Sequence, residues 1–86
     1  MVTQQKNKTI NIRYHALLRE ERGKSFETIT TNAQTLSQLY SDLKKKYHFK
    51  LGTDRLRVAV NDGFCSWSKR LKDGDDITFI PPVAGG

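Results

Sequence analysis

One segment of the chain has the spacing of an amphipathic helix and lies between short stretches that alternate apolar and polar residues. Its apolar residues recur at i, i+3, i+4, i+7 and i+11: Leu36, Leu39, Tyr40, Leu43 and Tyr47. Thr35 and Gln38 have the spacing of a capping box, which predicts the start of the helix. Three lysines, residues 44–46, suit its last turn, and Gly52 is expected to close the segment.

The segments around this helix predict strands. Apolar residues at every second position indicate strands at residues 10–14 and 56–60. Strands are also expected at residues 25–31, which carry Phe26, Ile29 and several threonines, and at residues 64–67 and 77–80. A short helical turn is expected at residues 16–22, ended by Gly23. One helix against a small mixed sheet predicts a two-layer α+β domain. A crossover through the helix would pair the first strand in parallel with a later one, and a split βαβ layout is also compatible.

The length of 86 residues predicts one domain with a thin core, which favours a carrier or binding module over a self-sufficient enzyme. The single cysteine and the lack of a Cys/His ligand spacing argue against a structural zinc site, and no metal is expected. No apolar run approaches about 18 residues and no secretory signal is recognisable, so a cytoplasmic location is expected. We expect a flexible polar extension at residues 1–8, a folded domain at 9–80 and an extended functional tail at 81–86.

The last ten residues, ITFIPPVAGG, contain no charged side chain in a chain that is 28% charged. Pro81 and Pro82 favour an extended exit from the sheet. Gly85 and Gly86 lack a Cβ, so another protein can close tightly around them. The Gly86 carboxylate is expected to be the only ionic group of these ten residues. These properties suit an arm that delivers its own end into a narrow tunnel. An incidental frayed end is the alternative.

Three stretches carry a more specific signal: VAVND at 58–62, LKDGD at 71–75 and FIPPVAGG at 79–86. Together they resemble the small, sulfur-carrier subunit of molybdopterin synthase, and residues 10–23 are similar to that family's first strand and short helix. The resemblance covers residues 9–86. Its C-terminal motif is the most specific part. Gly-Gly alone also ends ubiquitin and the thiamine sulfur carrier, whereas the diproline before Val-x-Gly-Gly favours the molybdopterin member.

The resemblance implies a ubiquitin-like β-grasp fold and a subunit that is not catalytic alone. It implies that a ubiquitin-activating-like adenylating enzyme uses ATP to activate Gly86, and that a sulfur donor enzyme then forms a thiocarboxylate. The tail would enter the large catalytic subunit of a heterotetramer and give its sulfur to cyclic pyranopterin monophosphate. The chain itself would bind no cofactor. Gly86 would carry the sulfur, and the partner contacts by motif position would be Pro81, Pro82, Val83, Ala84, Gly85 and Phe79.

Other acceptors remain open at this point, namely thiamine thiazole synthesis, tRNA thiolation, or lysines on other proteins in the manner of a ubiquitin-like modifier. A basic nucleic-acid-binding module is a further alternative, because the net charge is +6. The basic residues are scattered without an aromatic-interleaved RNA motif, so neither a nucleic-acid nor a membrane partner is expected. Phe64 and Trp67 suit either the core or an exposed interface. Cys65, His15 and His48 are expected to have no catalytic or ligand role.

Overall fold

A mixed sheet of five strands with two helices forms the part of the chain that the computed structural model describes, residues 7–82. A single 3-10 turn, Thr53–Arg55, precedes the third strand. The elements in chain order are β1 (Lys8–Tyr14), α1 (Ala16–Arg22), β2 (Phe26–Thr31), α2 (Leu36–Tyr47), β3 (Arg57–Val60), β4 (Gly63–Phe64) and β5 (Asp76–Ile80).

The strands lie in the order β2-β1-β5-β3-β4, so the last strand in sequence is the central one. β5 pairs in parallel with β1 and antiparallel with β3. The other two pairs, β1 with β2 and β3 with β4, are antiparallel. The predicted α+β class and the parallel pairing of the first strand with a later one are confirmed.

The start of α2 follows the prediction with one difference. The Thr35 hydroxyl oxygen accepts from the Gln38 backbone N–H at 3.2 Å, as the N-cap of a capping box does. The Gln38 side chain, however, accepts from the backbone N–H of Gln34 at 2.9 Å rather than from that of Thr35. The start of the helix therefore still has two side-chain hydrogen bonds to backbone N–H groups, but the second N–H belongs to Gln34 instead of Thr35.

The end of α2 was predicted wrongly. The helix stops at Tyr47, because His48 takes the left-handed conformation with φ 60° and donates its backbone N–H to Lys44 O. Gly52 lies four residues further on and precedes the 3-10 turn. By contrast, the prediction for α1 is confirmed, since Gly23 ends it with φ 84° and bonds back to Arg19 O.

The core lies between the helices and one face of the sheet. The apolar stripe of α2 is buried there, with Tyr47 only half-buried at its end. This core contains Ile10, Ile12, Tyr14, Leu18, Ala33, Leu36, Leu39, Tyr40, Leu43, Phe49, Leu56, Val58, Val60, Leu71, Ile77 and Phe79. Within residues 7–82, no helix covers the opposite face of the sheet.

The fourth strand is shorter than the predicted segment 64–67. Beyond Phe64 the chain turns toward the start of α2, where Trp67 O accepts from the Ser37 N–H at 2.9 Å and Lys69 O from the Leu36 N–H at 3.1 Å. These carbonyls satisfy N–H groups that a helix start leaves free. Because residues 67 and 69 bond to the start of α2 in this way, residues 65–69 do not continue the strand β4. At the other end of the chain, β1 already includes Lys8, which pairs with Thr31.

Candidate functional site

The central strand β5 ends at the point where the proline-containing segment leaves the sheet. Its last residues are held from both sides, since Phe79 pairs with Tyr14 of β1 and Ile80 pairs with Arg57 of β3. The two residues that follow, Pro81 and Pro82, have no N–H to donate, which ends the ladder. The chain therefore leaves from the middle of the sheet.

The two prolines of this exit differ in exposure. Pro81 is buried and Pro82 is exposed, so only Pro82 presents its ring to solvent. The other predicted tail contacts, Val83, Ala84 and Gly85, lie outside the described residues, as does Gly86.

Phe79 was predicted to contact a partner, and the structure contradicts this. Its side chain is fully buried. The ring centroids of Tyr40, Trp67 and Tyr14 lie 5.2, 6.0 and 6.2 Å from its own. Side chains of a strand point alternately to its two faces, and in β5 the helix-facing positions are Ile77 and Phe79. Phe79 therefore anchors the central strand in the core.

A groove lies beside the exit of the chain. It has a volume of about 560 Å³ and is lined by residues 54–57, Phe64 and residues 80–82. Pro81 and Pro82 form one wall, so the groove and the tail begin at the same place. The groove could not be identified from the sequence, because its walls come from the 3-10 turn and three different strands.

An exposed aromatic ring and an arginine border this groove. The Phe64 side chain is 66% exposed, and the Arg57 guanidinium lies 5.7 Å from the centre of its ring. A similar pair occurs on the other side of the open face, where Arg13 lies 5.1 Å from the ring of Phe26. Phe64 is thus an exposed surface residue, whereas Trp67 is half-buried and stacks on Phe79. The sequence left both a core and a surface position open for each residue, and the structure places Trp67 against the core and Phe64 on the surface.

The groups with clearly shifted pKa values lie in the core and under the opposite edge of the sheet, apart from the groove. The hydrogen bonds from Arg22 hold the pKa of Glu27 below its ordinary value. Burial, together with the hydrogen bond to Glu27, raises the pKa of Tyr14. Burial also raises the pKa of Tyr40 to about 12, and its hydroxyl donates to Leu51 O at 2.6 Å. These groups have partners that explain their shifts, so we assign them structural roles.

The remaining candidates stay apart. Cys65 is half-buried, and its Sγ lies 3.9 Å from Val58 O, whereas His15 and His48 are both exposed. Within residues 7–82, no three His, Cys, Asp or Glu side chains come close enough to hold a metal ion. No helix in this range is long and apolar enough to cross a membrane.

Comparisons with known proteins identify the family. A model described as the ThiS family matches residues 12–86. The molybdopterin synthase sulfur carrier subunit of Mycobacterium tuberculosis is 32% identical over 80 residues, which cover 90% of this chain and 96% of that protein. The Escherichia coli subunit of the same name is 29% identical over 80 residues, which cover 90% of this chain and 99% of that protein.

Solved structures agree with the fold. The complex of subunits 1 and 2 of molybdopterin-converting factor from Helicobacter pylori contains a chain that is 29% identical, with a TM-score of 0.62 over 91% of this chain and 99% of that one. SAMP1 from Haloferax volcanii has a TM-score of 0.75 at 19% identity, over 91% of this chain and 99% of that one. The predicted β-grasp fold is confirmed. The chain belongs to the ThiS family, and its curated relatives are sulfur carrier subunits of molybdopterin synthase.

Proposed function

We propose that this chain is the sulfur carrier subunit of a molybdopterin synthase and that it works with a larger catalytic subunit. The observation that carries the proposal is the similarity of 90% of the chain to curated proteins of that name. The placement of residues 81 and 82 at the end of a central strand supports it, because a tail can leave from there without disturbing the core. The H. pylori complex of subunits 1 and 2 supports a partner of the large-subunit kind.

The proposed chemistry takes place at the Gly86 carboxylate. A carboxylate is a poor electrophile, since its charge is delocalised and oxygen is a poor leaving group. In the adenylating enzyme, a carboxylate oxygen attacks the α-phosphorus of ATP and pyrophosphate leaves. Hydrosulfide (HS−) supplied by the donor enzyme then attacks the acyl carbon, AMP leaves with the bonding electrons, and the sulfur loses its proton. The product is a thiocarboxylate at Gly86.

The thiocarboxylated tail then enters the large subunit, where its sulfur passes to cyclic pyranopterin monophosphate. In this proposal the large subunit supplies the acid–base groups, whereas the small one supplies the sulfur and the arm that delivers it. Pro81, Pro82, Val83, Ala84 and Gly85 would contact the tunnel. The two subunits would form a heterotetramer in the cytoplasm, and ATP would be bound by the adenylating enzyme alone.

Intact mass spectrometry tests the proposal. The chain is incubated with its adenylating enzyme, ATP and the sulfur donor, and we expect one oxygen to be replaced by sulfur at Gly86. A variant lacking Gly86 should take up no sulfur and should unfold at the same temperature as the wild type. A matched control, Arg19→Ala, changes an exposed side chain of α1, leaves the tail intact and should still be adenylated.

Three outcomes would contradict the proposal. The first is the absence of any adenylation of the tail. The second is Gly86 in isopeptide linkage to lysines in a lysate, which would indicate a ubiquitin-like modifier. The third is sulfur transfer from Gly86 to a thiazole precursor or to tRNA but not to the pterin, which would assign the carrier to a different pathway.

A further inference from the structure

The sheet formed within residues 7–82 has two edge strands, and they differ in length. At one edge, β4 consists of Gly63 and Phe64 alone, and the chain beyond it turns toward α2. At the other edge, β2 runs for six residues from Phe26 to Thr31 in continuous register with β1. A short edge strand protects a sheet from pairing with other chains, whereas a long regular one offers its outer N–H and C=O groups to a further strand. We propose that the outer edge of β2 pairs with the same edge of a second copy of this chain.

The hydrogen bonds between β1 and β2 identify the backbone groups that point outward. The N–H of Tyr14 donates to Ser25 O at 2.9 Å, so these two facing residues form a hydrogen-bonded pair. Such pairs alternate with non-hydrogen-bonded ones along antiparallel strands, so Glu27 and every second residue after it also bond to β1. The residues between them direct their N–H and C=O groups away from β1, and all of them are exposed: Phe26, Thr28 and Thr30.

These three residues are arranged symmetrically about the middle one, which suits a two-fold axis. When Thr28 faces Thr28 of the second copy, Phe26 faces Thr30 and Thr30 faces Phe26. Each facing pair then exchanges two N–H···O=C bonds, so all the outward backbone groups of these residues are paired. Thr–Thr pairs and pairs of an aromatic ring with a β-branched residue both stabilise antiparallel strands. Because each copy uses the same strand, the contact closes as a dimer.

The edge lacks the charges that commonly prevent such pairing. Within β2 the only charged residue is Glu27, and its carboxylate is bonded to Arg22, with 9% of its side chain exposed. In the proposed register Glu27 faces Ile29 of the second copy, so no like charges meet within the strand. Just before the strand, Lys24 faces Asn32. Lysine and proline, which commonly block an edge, are both absent from β2.

The association is expected to be weak. Each copy carries a net charge of +6, which opposes the approach of a second one. The guanidinium of Arg13 lies over the ring of Phe26, and the two Phe26 positions are four residues out of register, about 14 Å apart along the strands. Salt of about 0.15 M largely screens charges at that separation. Because the contact is limited to one six-residue strand of each copy, it belongs with the transient interfaces of less than about 1,200 Å².

Sedimentation equilibrium of the full chain in about 0.15 M NaCl tests the dimer. We expect the average mass to rise toward that of two chains as the protein concentration increases from about 10 µM to about 1 mM. Thr28→Lys places two like charges opposite each other and should weaken self-association at least about fivefold. As a matched control, Ser41→Lys adds the same charge at an exposed position of α2 and should weaken it less than about twofold.

A mixture of two variants separates the facing charges from any effect on the fold. The hydroxyl of Thr28 donates to Asn11 Oδ1 at 2.7 Å, so Thr28→Lys and Thr28→Glu both lose that bond. An equimolar mixture of the two should nevertheless associate more tightly than either variant alone, because opposite charges then face each other.

Cross-linking tests the register. Both variants are made in a Cys65→Ser background, so that each chain has one thiol. Position 28 faces itself at a Cα···Cα distance of about 5.5 Å, which suits a disulfide, so Thr28→Cys should form a covalent dimer with oxidised glutathione. Thr30→Cys is the matched control, because two residues at position 30 lie about 14 Å apart along the strands and should cross-link far less.

Three results would overturn the proposal. The mass of a single chain at every concentration up to about 1 mM would exclude the dimer and leave the edge of β2 to an extended segment of another protein. Equal weakening by Thr28→Lys and Ser41→Lys, without recovery in the lysine–glutamate mixture, would reduce the effect to one of net charge. Equal cross-linking at positions 28 and 30 would contradict a two-fold axis at Thr28.

Discussion

The guanidinium of Arg22 donates to both carboxylate oxygens of Glu27, at 2.9 and 2.7 Å, while its centre lies 4.0 Å from the centroid of the Tyr47 ring. The hydroxyl of Tyr14 donates to the same carboxylate at 2.7 Å. The side chains of Arg22 and Glu27 are only 17% and 9% exposed. This cluster joins α1 to the edge strand β2 and to the end of α2.

We expect Arg22→Ala to lower the free energy of unfolding by about 2–3 kcal/mol, because it leaves a nearly buried carboxylate with one hydroxyl donor. Denaturation in urea measures this loss. Arg19→Ala removes an exposed arginine from the same helix and should cost less than about 0.5 kcal/mol. Equal losses in the two variants would show that the ion pair contributes nothing beyond helix propensity.

The contribution of Glu27 should depend on pH. The hydrogen bonds from Arg22 lower the pKa of this carboxyl in the folded protein, and the bond from Tyr14 and the charges of Arg22 and Lys24 act in the same direction against burial. The unfolded chain therefore takes up the proton at a higher pH than the folded one. The stabilisation is present above about pH 4.3 and is lost as the pH falls through the folded pKa.

Thermal unfolding of the wild type and of Glu27→Gln at a series of pH values tests this dependence. The wild type should unfold at the higher temperature at neutral pH, and the difference should shrink steadily below about pH 4. A difference that stays constant across this range would contradict the assignment of the lowered pKa to Glu27.

The two helix ends should respond oppositely to glycine. Gly23→Ala should destabilise the protein by about 1 kcal/mol, because φ is 84° there although nothing lies within 4 Å of the added Cβ. His48→Gly should stabilise by up to about 1 kcal/mol, since a residue with a Cβ now holds φ 60°. Unfolding temperatures of the two variants provide the measurement, and shifts of the same sign would contradict it.

The two phenylalanines near the chain exit should separate stability from binding. We expect Phe79→Ala to lower the free energy of unfolding by about 3–5 kcal/mol, because it leaves a cavity among three aromatic rings. Phe64→Ala truncates an exposed ring and should change stability by less than about 0.5 kcal/mol. A small loss for Phe79→Ala, together with weakened partner binding, would restore Phe79 as a contact residue.

The sequence predicted those features that depend on neighbouring residues. The buried face of α2 followed from the spacing of Leu36, Leu39 and Leu43, and the end of α1 followed from Gly23. The end of α2 did not, because nothing in the sequence marks His48 as a residue with positive φ. The burial of Phe79 could have been predicted, since Ile77 and Phe79 alternate with the polar Asp76 and Thr78 and only Ile80 departs from this pattern.

The groove beside the exit of the chain could not be predicted as a whole, because its parts come together only through pairing of the strands. Arg57 and Phe64 are seven positions apart, and the tight turn at Asn61 and Asp62, with φ values of 52° and 72°, brings them to the same surface. Ile80 reaches that surface through its antiparallel register with Arg57. The Asn61-Asp62-Gly63 turn does predict the hairpin of β3 and β4, whereas the pairing of β5 with β3 leaves no signal in the individual segments.

The central position of β5 also has a mechanical consequence. A pull applied beyond Pro82 runs along the axis of a strand bonded on both sides, so the hydrogen bonds to β1 and β3 share the force instead of opening one after another. Phe79, wedged among aromatic rings, further resists sliding of the strand. Under the proposed function the tail would be inserted and withdrawn in every cycle, and this attachment would spread each pull over the hydrogen bonds of two neighbouring strands.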